Sequence, residues 1–175
     1  MFADPIENLK LLDIKDGMQV ADLGAGSGSY SLAAGRLVGY KGRVFAIEVQ
    51  KDLLPAIKKS ATEQGVSNVE VVWGDIENKG GTRLRDSSID RVIVSNVLFQ
   101  LKDKHGLIGE AARILVPGGK ALVIDWSDTQ AITSTNQAGF FPQDEAVRSF
   151  EGAGFALENS FDAGSHHYGL IFSKK

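Results

Sequence analysis

Five short runs rich in valine, isoleucine, leucine and alanine recur along the chain with helical stretches between them. This alternation constrains the fold more than any other feature. The runs are MQVADL (18–23), GRVFAIE (42–48), VEVVWG (69–74), IDRVIVS (89–95) and KALVIDW (120–126). Their near-continuous apolar character is that of strands covered on both faces. Strand and helix in repetition are the pattern of βαβ units, hence an α/β fold around a parallel sheet. The helical candidates are SYSLAAGRLVG (29–39), KDLLPAIKKSATEQG (51–65) and KDKHGLIGEAARIL (102–115). Pro55 is tolerated in a first turn, so the second helix is expected to begin a residue or two before it. The third is expected to stop at Val116, because Pro117, Gly118 and Gly119 turn the chain into the next strand. The opening PIENLKLLDI (5–14) reads as a short lid-like helix.

Beyond Trp126 the regularity breaks. SDTQAITSTNQAGFF (127–141) is polar and without a clear period, and it leads into a helix at PQDEAVRSFEGAGF (142–155), with Phe140 and Phe141 expected in the core at its start. FALENSF (155–161) and HYGLIFS (167–173), joined by DAGSH, form a predicted hairpin whose last strand is antiparallel to its neighbour. At 175 residues the expectation is a single domain, 1–175. The chain has no cysteine, which excludes disulfides, thiolate nucleophiles and zinc–cysteine sites and fits a reducing cytosol, so a cytoplasmic location is expected. The start has scattered acids and no basic segment leading into a long apolar run, so neither a signal peptide nor a membrane anchor is expected. Net charge is −3, and the basic residues are dispersed, unlike those of a nucleic-acid binder. The substrate expected is small or uncharged.

Residues 19–35, QVADLGAGSGSYSLAAG, run from strand through alternating glycines into helix. Glycine admits positive φ and lets a ligand lie against bare peptide units, while helix-terminal N–H groups face it. The dinucleotide fingerprint is GxGxxG. Here Gly24, Gly26 and Gly28 make GxGxG, and Asp22 would set negative charge near a pyrophosphate, which suits a positive ligand better. Asp22 with these glycines resembles motif I, D/E-x-G-x-G-x-G, of the class I S-adenosylmethionine-dependent methyltransferases. A structural tight turn is the alternative for a glycine loop taken alone.

Two further acids extend the resemblance. Glu48 ends the second strand, where a carboxylate can accept both hydroxyls of a ribose, as dinucleotides and S-adenosylmethionine both require. Asp75 follows the third strand in VVWGDIEN, and in the methyltransferases an acid there resembles the group that accepts from the adenine amine. The three signals fall at the ends of strands one, two and three, on one rim of a parallel sheet, where such sheets bind ligands. Residues 89–126 are similar to motifs IV to VI of small-molecule methyltransferases, including the ubiquinone and menaquinone biosynthesis group, and the likeness covers roughly residues 17–126.

The resemblance implies a doubly wound, Rossmann-like sheet of seven mostly parallel strands in the order 3-2-1-4-5-7-6, strand seven antiparallel. It implies S-adenosylmethionine as cofactor, held by Asp22, Gly24, Ala25, Gly26, Gly28, Glu48, Val49, Asp75, Ile76, Ser95 and Asn96. Phe99, Gln100 and Trp126 are candidates for the acceptor side. The cofactor brings its own leaving group, so no catalytic triad is needed, and a base is required only for a hydroxyl or weakly acidic carbon. Asn96, Asp125 and His166 are the candidates for that work. Adjacent His166 and His167 would point to opposite faces of a strand and His105 suits a helix surface, so no metal is expected. SNVLF (95–99) lacks the N/D-PPY/F motif that grips a target nitrogen in amino methyltransferases. The expected activity is methyl transfer to a small-molecule acceptor, without nucleic acid or membrane, by a monomer or homodimer. The alternatives are an RNA or protein methyltransferase, because 35–50 also looks like the tRNA methyladenosine and isoaspartyl families, or a catalytically silent scaffold that binds S-adenosylmethionine.

Overall fold

The computed structural model describes residues 4–128 and 139–175. The elements are α1 (Pro5–Lys10), β1 (Gln19–Leu23), α2 (Ser29–Leu37), β2 (Arg43–Glu48), α3 (Leu54–Glu63), β3 (Val69–Trp73), β4 (Ile89–Ser95), α4 (Lys104–Ile114), β5 (Leu115–Trp126), α5 (Gln143–Gly152), β6 (Phe155–Gly164) and β7 (His167–Lys174). The strands form one sheet in the order β3-β2-β1-β4-β5-β7-β6. β1 to β5 are mutually parallel, and β7 lies antiparallel to both β5 and β6. The expected order and the reversed last strand are both present.

The central strands are mostly apolar because both faces are covered, and alternate side chains serve different cores. Ala21, Val92, Val94, Ala121, Val123, Leu170 and Phe172 pack on one face with Leu107, Ala111 and Ile114 of α4 and Phe150 of α5. Val20, Ile93, Leu122, Ile124 and Ile171 pack on the other with Leu9 of α1 and Tyr30, Ala33 and Ala34 of α2. Phe150 stacks on Phe172 at 4.6 Å and meets Phe155 edge-on, which seats α5 on the hairpin side of the sheet. Phe141, at the start of α5, is buried as expected, and its carbonyl accepts from the Tyr168 hydroxyl at 3.0 Å, whereas Phe140, expected beside it in the core, is only partly buried.

One boundary differs from expectation. α4 ends at Ile114, and β5 begins at once with Leu115, which pairs with Ile89 before the register shifts to Arg91↔Lys120. Pro117, Gly118 and Gly119 therefore form a bulge inside β5 instead of a turn leading into it. Gly118 takes φ +74, a conformation glycine adopts without strain. The opening helix is present, N-capped by Asp4, and its Leu9 is fully buried under α2. Much of the polar stretch between Ser127 and Phe141 lies outside the described residues.

β1 has β2 on one side and β4 on the other, so the chain winds outward in opposite directions from this pair. A crevice necessarily opens at the carboxyl ends of β1 and β4, the switch point of such a sheet.

Candidate active site

A cavity of about 600 Å³ occupies that crevice. Its floor is the loop between β1 and α2. Gly24 N–H and Ala25 N–H both donate to the Ile47 carbonyl, at 3.0 and 2.9 Å, fastening the loop to the end of β2. Gly24 sits at φ +81, and a Cβ there would come within 2.7 Å of Val97, so this glycine lets two loops close on each other. Gly26, at φ +54, has no such neighbour: a Cβ on it would meet nothing nearer than the Gly24 carbonyl at 4.0 Å and would enter the cavity. Gly28 does not line the cavity; it starts α2 with its bare face against Ile57.

Four carboxylates converge here. Asp22, at the end of β1, is 2% exposed and accepts from the Ser31 hydroxyl at 2.6 Å. Burial pushes its pKa up to about 6 against the Ser31 hydrogen bonds that lower it, and the Glu48 charge pushes the same way as burial. Glu48 accepts Gly26 N–H on Oε2 at 2.9 Å and Gln50 N–H on Oε1 at 2.8 Å, which leaves each oxygen a second lone pair toward the cavity. Asp75 accepts from Glu77 N–H at 3.0 Å and Asn78 Nδ2 at 2.7 Å. Glu77 in turn accepts from Lys102 N–H and Asp103 N–H at 2.6 and 2.9 Å, joining the Asp75 loop to the start of α4. None of the four has an ion-pair partner among the described residues.

At the end of β4, Asn96 takes φ +55, and its N–H donates to the Ile124 carbonyl at 2.8 Å. That turn aims Ser95 and Asn96 at the cavity, where Ser95 Oγ and Asn96 Oδ1 are buried without an aligned hydrogen bond. Buried polar atoms left this way are costly, so they mark the place where a ligand would complete the bonding. Val49, half exposed, and Ile76, buried, make the apolar walls beside Glu48 and Asp75. Trp73 braces this rim: its Nε1 donates to the Val49 carbonyl at 3.1 Å, with Lys51 and Arg83 at 4.8 and 5.0 Å from the ring.

The structure thus gathers Asp22, Gly24, Ala25, Gly26, Glu48, Val49, Asp75, Ile76, Ser95, Asn96 and Gln100 around one space. Phe99 and Trp126 stand outside its lining. They meet edge-on at 6.2 Å, and Trp126 lies against His167 at 4.2 Å, a row of rings at the ends of β5 and β7. Asp125 does not face the cavity. It is fully buried, accepts Leu98 N–H and Trp126 N–H at 2.9 and 2.8 Å, and so caps the turn after β4; burial holds its pKa up, at about 6. His166 does not reach the cavity either. It takes φ +63 in the tight β6–β7 turn and pairs with Asp128 at 2.7 Å in a separate cleft. Sequence reasoning passed over Tyr30, Glu77 and Pro5, all of which line the cavity. Tyr30 had a signal of position, two residues beyond the last glycine; Pro5 fell only within the lid-like opening helix, and Glu77 had no signal.

The donor set fits a cation attached to a nucleoside. It offers carboxylate acceptors at Glu48 and Asp75, a glycine turn at Gly24 to Gly26 on the far side of Glu48 from Asp75, and carboxylates without ion-pair partners among the described residues. Among the described residues no lysine or arginine lines the cavity to hold a pyrophosphate.

Residues 14–154 match the family described as Methyltransferase domain. An arsenite methyltransferase of Aquipseudomonas alcaligenes is 37% identical over 115 residues, 63% of this chain and 33% of that protein. A ubiquinone/menaquinone biosynthesis C-methyltransferase of Shewanella oneidensis is 31% identical over 117 residues, 66% of this chain and 45% of that one. The chain spans between about a third and a half of the length of the curated relatives it matches. A crystal structure of a SAM-dependent methyltransferase from Aquifex aeolicus superposes with a TM-score of 0.87 at 25% identity, covering 98% of this chain and 90% of that one. Fold, cavity and sequence agree: the chain belongs to the class I S-adenosylmethionine-dependent methyltransferases.

Proposed function

We propose that this chain transfers a methyl group from S-adenosylmethionine to a small organic acceptor. When bound, the cofactor supplies an electrophilic methyl on a sulfonium together with its own leaving group. The chain's part is to bind and align. Glu48 would take the ribose hydroxyls and Asp75 the adenine amine, while Gly26 gives the backbone room to lie against the ligand. Asp22, ionised, would favour positive charge over the glycine loop. The observation that carries this reading is the convergence of four carboxylates without cationic partners on one cavity at the switch point of the sheet.

The acceptor would enter over the ends of β4 and β5, past Asn96 and Gln100, with the Phe99–Trp126 ring pair beyond. The relatives' names point to two kinds of acceptor, arsenite and a quinone precursor. Trivalent arsenic is soft and favours thiolate ligands. This chain has no cysteine to offer them, which supports a carbon, oxygen or nitrogen acceptor. A net charge of −3 and a cavity lined by acids and, among the described residues, by no bases speak against a nucleic-acid substrate. No helix among the described residues is long and apolar enough to cross a membrane, and cytoplasmic action belongs to the same proposal.

The test is a labelled-methyl assay with phenols, quinols, amines, carboxylic acids and arsenite as acceptors, paired with calorimetric titration of the cofactor. Transfer to an organic acceptor is the expected result. Tight binding without transfer to any of them would favour a silent scaffold, and binding of NADH in place of S-adenosylmethionine would overturn the cofactor assignment.

A further inference from the structure

The side chain of Asn8, on α1, donates from Nδ2 to the hydroxyl oxygen of Tyr30 at 3.0 Å. Both residues are buried, at 6% and 9% exposure. Tyr30 stands in the first turn of α2 and lines the cavity. Its hydroxyl lies within reach of Ser95 Oγ, though the two make no aligned hydrogen bond. Burial, with the charges of Asp22 and Asp4 adding to it, holds the phenol above its usual pKa, so it keeps its proton.

That proton has a direction. A phenol oxygen that accepts from Asn8 must spend its own hydrogen elsewhere. It can point straight into the cavity, or it can turn to Ser95 Oγ, a buried atom whose own hydrogen then has no taker in the protein. Either way one hydroxyl hydrogen is presented to the cavity. Sheet order fixes the place. Glu48 and Asp75 stand at the ends of β2 and β3, on the nucleoside side of β1, whereas Ser95 ends β4 on the opposite side. Neighbouring strands are about 4.8 Å apart, so the donated hydrogen meets the part of a bound molecule that lies beyond the nucleoside.

We infer that Tyr30 is a ligand-contacting hydrogen-bond donor aimed by Asn8, and that it meets a carboxylate oxygen of the cofactor's amino-acid tail. The inference rests on the cofactor reading of the same cavity. Asn8 is a positioning residue: it touches no ligand and sets only which way the Tyr30 hydrogen points. α1 is accordingly part of the binding apparatus as well as a cover for the core.

Two calorimetric titrations test it, one with S-adenosylhomocysteine and one with 5′-methylthioadenosine, which shares the nucleoside and thioether but has no amino-acid tail. Y30F keeps the ring and deletes the hydroxyl. It is expected to weaken S-adenosylhomocysteine about 10- to 100-fold, the loss of a hydrogen bond to a charged group, and to leave 5′-methylthioadenosine within about twofold. N8D is isosteric, but its carboxylate would take the Tyr30 hydrogen for itself, so the same selective loss is expected with the tyrosine still present. In the Y30F background N8D is expected to add nothing, because the hydrogen it redirects is gone. An N8D effect of equal size in both backgrounds would mean charge acting through space and would overturn the inference, as would wild-type affinity in Y30F. Wild-type protein that binds neither compound would instead overturn the cofactor reading.

Discussion

Asp22 offers the sharpest quantitative test, because its burial affects stability and cofactor affinity in opposite senses. Its carboxyl rises from an ordinary 3.8 to about 6 in the folded chain, chiefly through desolvation. A carboxyl raised in this way adds stability that is complete below 3.8 and is lost as pH rises through about 6. At pH 5, about ten of every eleven native molecules carry the proton, while the unfolded chain has mostly released it. The native state therefore gains about 1.4 kcal/mol relative to pH 8. D22N cannot titrate. The wild type should gain roughly 3 to 6 °C more in melting temperature than D22N on going from pH 8 to pH 5, at about 2 to 4 °C per kcal/mol for a chain of this size. Asp125 is raised in the same range but is common to both proteins and cancels in the difference. Affinity for S-adenosylmethionine runs the other way, since a cation needs the ionised form and must expel the proton at pH 5. Affinity should fall about tenfold from pH 8 to pH 5 in the wild type relative to D22N. Thermal melts and calorimetry at the two pH values measure both effects. Parallel pH dependence in the two proteins would refute the argument that Asp22 is a buried, titrating counter-charge.

Four other substitutions separate binding from folding. G26A should lower cofactor affinity more than stability, because its methyl enters the cavity, whereas G24A should lower stability more, because its Cβ meets Val97 at 2.7 Å; melts and titrations of the pair should show the contrast. E48A should weaken cofactor binding by about 1 to 3 kcal/mol, through the lost ribose bonds and the freed Gly26 and Gln50 amides, as read by titration. E110A should cost about 2 to 4 kcal/mol in chemical denaturation. Glu110 is buried, accepts from Gly80 N–H, Thr82 N–H and the Thr82 hydroxyl, and pairs with Arg113 at 2.7 Å, so its loss leaves those amides without their acceptor, leaves Arg113 with Asp86 alone and unpins the loop after Asp75.

What the sequence discloses and what it hides follow from the range of the interactions. Strands β1, β2, β4 and β5 are legible because burial on both faces leaves a near-continuous apolar record, and β3, a half-buried edge strand, because it is still mostly valine. Asp22, Glu48 and Asp75 are legible because each ends a strand, and parallel strands deliver their ends to one rim. The PGG bulge is not, since proline and glycines signal a turn equally well between elements and within one; only the pairing of Leu115 with Ile89 decides. Asp125 beside Trp126 resembles a pocket wall in one dimension. Its carboxylate is taken up by the amide of Leu98, 27 positions away, which no local pattern reveals. Glu77 is hidden for the same reason, its partners being the backbone at Lys102 and Asp103, and although Tyr30 stands two residues past the last glycine, nothing local reveals its bond to Asn8 on a different helix.

The measurement that bears most directly on the central claim is a crystal structure of the chain grown with S-adenosylhomocysteine. The account predicts a single nucleoside in the cavity, its ribose hydroxyls on Glu48, its adenine amine on Asp75 and its thioether over Gly26. Density for the ligand elsewhere, or a cavity that stays empty at saturating concentration, would contradict it.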